Sequence, residues 1–109
     1  MTTIIFRKNK RDEYLGFTVT GHTGFADSGN DIVCAAISIL TINTINAMEL
    51  LAGEQMSVVT NEEEGLIDCR FQGLIHDKSK VLMDSLVLGI TSIAEQYGSK
   101  HCKFTFEEV

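Results

Sequence analysis

The segment Gly21-His22-Thr23-Gly24-Phe25-Ala26-Asp27-Ser28-Gly29-Asn30-Asp31-Ile32-Val33-Cys34-Ala35-Ala36-Ile37-Ser38 gathers residue types from which nucleophilic chemistry is built. A histidine near a thiol can take its proton, and the resulting ion pair makes sulfur nucleophilic near neutral pH. The spacing predicts a helix from about Asp31 to Ala52, with Asn30 or Asp31 as N-cap and Gly53 just past its end. Cys34 then falls one turn inside the helix, where N-terminal amides and the helix dipole favour thiolate over thiol. Amides so placed can also hold the oxyanion of a tetrahedral intermediate. On a helical wheel Asn30, Asp31, Cys34, Ser38 and Thr41 share one stripe, with Ile32, Val33, Ala36, Ile39 and Leu40 on the remainder. Asp31, three residues before Cys34, and Ser38, four after it, are neighbours of the sulfur. Two plainer readings stand beside this one. Most free cysteines pack as small buried residues, and Asp31 serves equally well as a helix cap.

The elements that must position these residues follow from hydrophobic period and turn residues. Thr3–Lys8 and Tyr14–Thr20 read as strands of a hairpin joined by the charged turn Asn9-Lys10-Arg11-Asp12, with Leu15, Phe17 and Val19 alternating against smaller or polar neighbours. The glycine-rich stretch Gly21–Gly29 is a loop before the long helix. Strands near Gln55–Thr60 and Leu66–Phe71 flank the acidic turn Asn61-Glu62-Glu63-Glu64-Gly65. A second helix spans about Lys78 to Tyr97 and stops at Gly98, and Lys100–Phe106 alternates as a last strand. The order β-β-α-β-β-α-β predicts an α+β fold, two helices on a mostly antiparallel sheet.

Composition narrows the setting. With 109 residues the chain is one domain, residues 1–109, of common size. Hydrophobic residues at 44% and charged residues at 22% exclude a disordered chain. The net charge of -6 argues against nucleic acid as the main ligand. Three widely spaced cysteines, Cys34, Cys69 and Cys102, rule out a complete disulfide framework and fit a reducing, cytoplasmic location. No uninterrupted apolar run of about 18 residues and no signal-peptide layout occur, so no membrane partner is expected. Cys69 and Cys102 fall on apolar strand faces and are expected in the core. His76, before the second helix, and His101, on the last strand, are expected to face solvent. No C-x-x-C or H-x-x-x-H spacing predicts a metal site, no phosphate loop is present, and no cofactor is expected.

The eighteen residues from Gly21 to Ser38 resemble the signature of the ribosomal-processing cysteine protease family (Prp). The pattern is a Gly-His pair, a short loop ending in Gly-x-Asp, a hydrophobic pair and Cys-Ala-Ala-x-Ser. Length and element order match as well, and Thr23 departs from the alanine frequent in the family. The resemblance implies a bacterial cytoplasmic thiol protease that removes the N-terminal extension of a large-subunit ribosomal protein, number twenty-seven, after a pair of phenylalanines and before ribosome assembly. It implies Cys34 as nucleophile and His22 as general base and later general acid, with Asp31 and Ser38 in supporting roles. Gly21 and Gly29 become hinges of a loop that closes on the peptide. It also implies a homodimer, with which the apolar faces of both helices are compatible.

A different class of function rests on Arg7-Lys8-Asn9-Lys10-Arg11, the only basic cluster. It reads most simply as a solvated hairpin turn. The alternative is a non-enzymatic assembly factor that contacts ribosomal RNA through it. The run Glu62-Glu63-Glu64 is a polar turn that could attract basic partners.

Overall fold

The computed structural model describes residues 1–21 and 28–109, the side chains of residues 28–31 lying outside that description. The elements are β1 (Thr2–Lys8), β2 (Tyr14–Thr20), α1 (Ser28–Ala52), β3 (Met56–Asn61), β4 (Leu66–Phe71), α2 (Asp77–Tyr97) and β5 (Cys102–Glu108). The five strands form one sheet in the order β3-β4-β2-β1-β5. Every neighbouring pair is antiparallel except β1 and β5, which run parallel. The expected α+β fold and element order are therefore present.

One face of the sheet forms the core with the helices. Strand residues Ile4, Phe6, Phe17, Val19, Ile67, Cys69 and Cys102 meet Val33, Ile37, Ile45 and Met48 of α1 and Met83, Leu86 and Ile90 of α2, all buried. Ile32–Leu51 of α1 is long and apolar enough, by length and composition only, to cross a membrane. Here its inner residues supply half of the helical side of the core, the ordinary reason for such a helix in a folded domain. Gly53 (φ 65°) and Gly98 (φ 84°) follow the two helices in the left-handed region. Gly98 donates its N–H to Ala94 O at 2.8 Å, closing α2.

Two local expectations change. Leu15 does not alternate with Phe17 and Val19. A β-bulge between Arg7 and Lys8 pairs Arg7 with Gly16 and Lys8 with Tyr14, leaving Leu15 as the extra residue, so Tyr14 is buried in its place. Gly16 is required there, since a Cβ would lie 2.3 Å from Cys69 O. The first helix begins at Ser28 and takes in Gly29, Asn30 and Asp31, which displaces both expected caps and puts the proposed hinge Gly29 inside the helix. A glycine costs a helix only about 1 kcal/mol relative to alanine, too little to stop one held by a long buried face.

Candidate active site

Four strands end at the same edge of the sheet, beneath α1: β1 begins there at Thr2, β2 ends at Thr20, β3 ends at Asn61 and β4 begins at Leu66. They leave a cavity of about 350 Å³ between them and the helix. Cys34 and Ser38 enter it from α1, one turn apart, with Gly21, Thr60, Asn61 and Glu62 around them. Cys34 is half-buried, whereas Cys69 and Cys102 are at most 1% exposed, and all three are free thiols. Burial, reinforced by the Asp68 charge, pushes the Cys69 thiol up to about 12, and burial also raises Cys102. Neither buried thiol forms a thiolate readily, and both belong to the core as expected. Cys69 Sγ rests 3.6 Å from Met56 Sδ.

Gly21 is fixed beside Cys34. Its N–H donates to Gly65 O at 3.1 Å, extending the β2–β4 pairing by one step beyond the strands. A Cβ at Gly21 would sit 3.4 Å from Cys34 Sγ and 3.5 Å from Thr2 Oγ1. The absence of a side chain there keeps the face of the sulfur open to the cavity. His22 lies outside the described residues, and its distance to the sulfur is not part of the geometry. Asp31 lies in the first turn of α1, its side chain outside the described residues. Ser38 is brought to the cavity with Cys34, while Thr41, the last member of the polar stripe, is fully buried and returns its hydroxyl to Ile37 O at 2.6 Å.

The earlier start of α1 alters one argument for the reactivity of Cys34. The sulfur belongs to the second turn, not the first, and the free N–H groups of a helix are confined to its first four residues. The dipole effect also fades within the first turn. The helix start is therefore not an argument for activating this thiol. Sequence reasoning missed Thr2, Thr60 and Asn61 as cavity residues. They reach the site through strand pairing across the sheet, which no local spacing in the sequence signals.

The chain matches the family model for the cysteine protease Prp over residues 1–102. It belongs to the Prp cysteine protease family. A ribosomal processing cysteine protease Prp from Bacillus subtilis is 26% identical over 101 residues, covering 89% of this chain and 90% of the relative. The Prp of Staphylococcus aureus is 23% identical over 97 residues, covering 89% and 92%. Among solved structures, S. aureus Prp in complex with a substrate peptide superposes with a TM-score of 0.91 at 20% identity, over 98% of this chain and all of that one. A Streptococcus mutans protein superposes at 0.86 with 29% identity, over 100% and 99%. The Prp fold is thus shared from end to end.

The basic hairpin is engaged within the molecule. Arg7 Nη1 donates to Thr18 Oγ1 at 2.7 Å and lies 4.0 Å from Asp68, and its Nε is 3.8 Å from Glu107. Lys8 pairs with Asp12 at 3.1 Å and stands 4.4 Å above the Tyr14 ring. Lys10 and Arg11 complete the cluster at the turn. His76 is mostly exposed as expected, but His101 is half-buried in the turn before β5 rather than on its polar face, because β5 begins only at Cys102. Among the described residues no group of three or more His, Cys, Asp or Glu side chains is placed to hold a metal ion.

Proposed function

We propose that this protein is a Cys34/His22 endopeptidase that trims the N-terminal extension of the large-subunit ribosomal protein number twenty-seven. The observation that carries the reading is that Cys34, alone of the three thiols, opens into a cavity, with Gly21 against its sulfur. His22 is joined to Gly21 by one peptide bond, about 3.8 Å between Cα atoms, so the candidate base is tethered at the nucleophile. The relatives' names, ribosomal processing protease, supply the substrate class, and peptide complexes of S. aureus Prp, one with a covalently linked product peptide, supply the chemistry.

In this mechanism His22 takes the Cys34 proton, and the thiolate attacks the peptide carbonyl after the phenylalanine pair. The C–N bond breaks, His22 protonates the departing amine, and the acyl group stays on sulfur as a thioester. The departing amine is the trimmed protein; water, deprotonated by His22, then attacks the thioester, the C–S bond breaks, and the extension leaves as a carboxylic acid while the proton returns to Cys34. Ser38 and Asp31 support this site, and Gly21 is the fixed end of the loop that closes on the peptide. An outward apolar stripe on α1, with Ile32 at 55%, Ile39 at 71% and Leu50 at 77% exposure, favours a homodimer. Two buried free thiols suit a reducing cytoplasm.

The test mixes the purified chain with the precursor ribosomal protein and follows its mass. Loss of the extension after the phenylalanine pair is the expected result. A folded wild-type chain that leaves the precursor intact overturns the assignment.

A further inference from the structure

The sheet has two outer strands, and they are finished differently. β5, KFTFEE after Cys102, carries Lys103, Glu107 and Glu108, the charged residues that ordinarily blunt an edge. β3, MSVVTN, carries no charge, no proline and no bulge, and five of its six residues are exposed. Among the described residues no strand pairs with its outer side, a run of main-chain groups with the β-branched residues Val58 (40% exposed) and Val59 (57% exposed) at the centre. The carboxyl end of the same strand, Thr60 and Asn61, lines the Cys34 cavity.

Which groups face outward follows from the ladder. Gln72 N–H donates to Gln55 O at 3.3 Å, one step beyond the β3–β4 register, which makes those two a bonded pair. Bonded pairs recur every second residue in an antiparallel ladder, so Ser57/Arg70, Val59/Asp68 and Asn61/Leu66 are bonded and the N–H and C=O groups of Met56, Val58 and Thr60 point away from β4. The other side of β4 gives the same phase: Gly21 N–H bonds to Gly65 O, so its odd-numbered residues bond to β2 and its even-numbered ones to β3.

We propose that the substrate peptide docks as a sixth strand on the open edge of β3, hydrogen-bonded to Met56, Val58 and Thr60, and is delivered by that pairing to Cys34. The proposal rests on the peptide-cleaving reading above. The occupant is fixed by continuity: the edge leads into the nucleophile's cavity, and a protease substrate must be extended for attack. At roughly 3.3 Å per residue, a segment of about five residues covers Met56 to Thr60. Main-chain pairing supplies affinity, and alternate side chains of the peptide turn toward α1 and Ile42.

The test uses the wild-type chain and a synthetic peptide spanning the cleaved junction, N-methylated at one amide at a time, at least two residues from the scissile bond. Methyl groups at alternate positions are expected to raise KM by about tenfold and those between them to leave it nearly unchanged, since each blocks or spares one edge bond. Val58→Pro, whose lost N–H faces the open side, is expected to raise KM similarly while Cys34 reacts with iodoacetamide at the wild-type rate. Tolerance without a period of two overturns the proposal, as does Val58→Pro with unchanged KM, including the case where that variant loses self-association and the edge joins copies of the chain. Should Val58→Pro not fold, the N-methyl series decides alone. If wild type does not cleave the unmethylated peptide, the protease reading fails and the docking mode falls with it.

Discussion

The two ends of the sheet are built for opposite purposes. At one, β1, β2, β3 and β4 stop around a cavity that holds Cys34, and a glycine stands where a side chain would cover the sulfur. At the other, every turn is tied down by side chains. Asn9 Oδ1 accepts the N–H groups of Arg11 and Glu13, Lys8 pairs with Asp12, and Tyr14 Oη donates to Asp84 of α2 at 2.5 Å. Burial and the Asp84 carboxylate raise the Tyr14 phenol well above its ordinary value, so it stays a donor. Beside it, Glu54 follows α1 and reaches the start of α2, accepting His76 N–H at 2.9 Å and standing 3.2 Å from His76 Nδ1. Burial pushes the Glu54 carboxyl up, but the His76 N–H, the Ser79 hydroxyl, the His76 ring and the Gln55 N–H together outweigh it, and the net shift is downward. The closed end holds the helices on the sheet, so the open end can leave Cys34 facing a cavity without loosening the core.

Substitutions at the two ends should therefore separate activity from stability. Cys34→Ser is expected to cut peptide cleavage by about 10⁴-fold or more, the scale at which loss of a nucleophile is felt, with an unfolding midpoint close to wild type. Comparable cleavage by the serine variant would place the nucleophile elsewhere. Next in size is Gly21→Val, whose side chain fills the space over Sγ. It should slow both cleavage and alkylation of Cys34 by about 10- to 100-fold, because a small misplacement at a reacting centre costs about that much. Alkylation at the wild-type rate would show that the sulfur is reached from another side.

At the closed end the effects are on stability alone. Glu54→Ala removes the buried carboxylate that accepts the part-buried His76 N–H at the start of α2 and should cost about 1–3 kcal/mol in denaturant unfolding, with Cys34 alkylation unchanged. The pH dependence has a definite sign. The folded carboxyl of Glu54 lies below its ordinary value of 4.5, so its contribution is fully present above that pH and is lost as pH falls through the lower folded value. Glu54→Gln should flatten the acid limb of stability below about pH 4.5, and an unaltered limb would assign acid unfolding to other carboxylates such as Asp68. Burial pushes Asp68 up, but the Thr18 hydroxyl and the Arg70 and Arg7 guanidinium groups hold it below its ordinary range. The smallest effect is expected from Tyr14→Phe, about 1 kcal/mol, since its partner Asp84 is exposed and water replaces the lost bond.

The difference between the ends also explains what was legible in the sequence. Local period marked all five strands and both helices, and it separated Cys69 and Cys102, on alternating apolar faces, from Cys34 in a polar stripe. What it could not carry was long-range. Tyr14 and Asp84 are 70 residues apart, Glu54 and His76 are 22 apart, and neither pair has a spacing that announces it. Thr60 and Asn61 join the cavity only because β3 pairs with β4 and β4 with β2. The bulge at Leu15 and the early start of α1 were hidden for a related reason: burial of Tyr14 and of the α1 core face overrode the local alternation and the glycine at position 29. The motif from Gly21 to Ser38 identified the family, while the proposed base His22 lies outside the described residues, so the proposed dyad rests on the motif and on the peptide bond to Gly21.

The central claim, that the open end is a cysteine-protease site with Cys34 as its nucleophile, is tested most directly by titrating the native chain with iodoacetamide and measuring intact mass and cleavage of the precursor in the same samples. A single adduct is expected, mapped to Cys34, with cleavage falling in proportion to the modified fraction. Full modification of Cys34 with cleavage retained at the wild-type rate would contradict it.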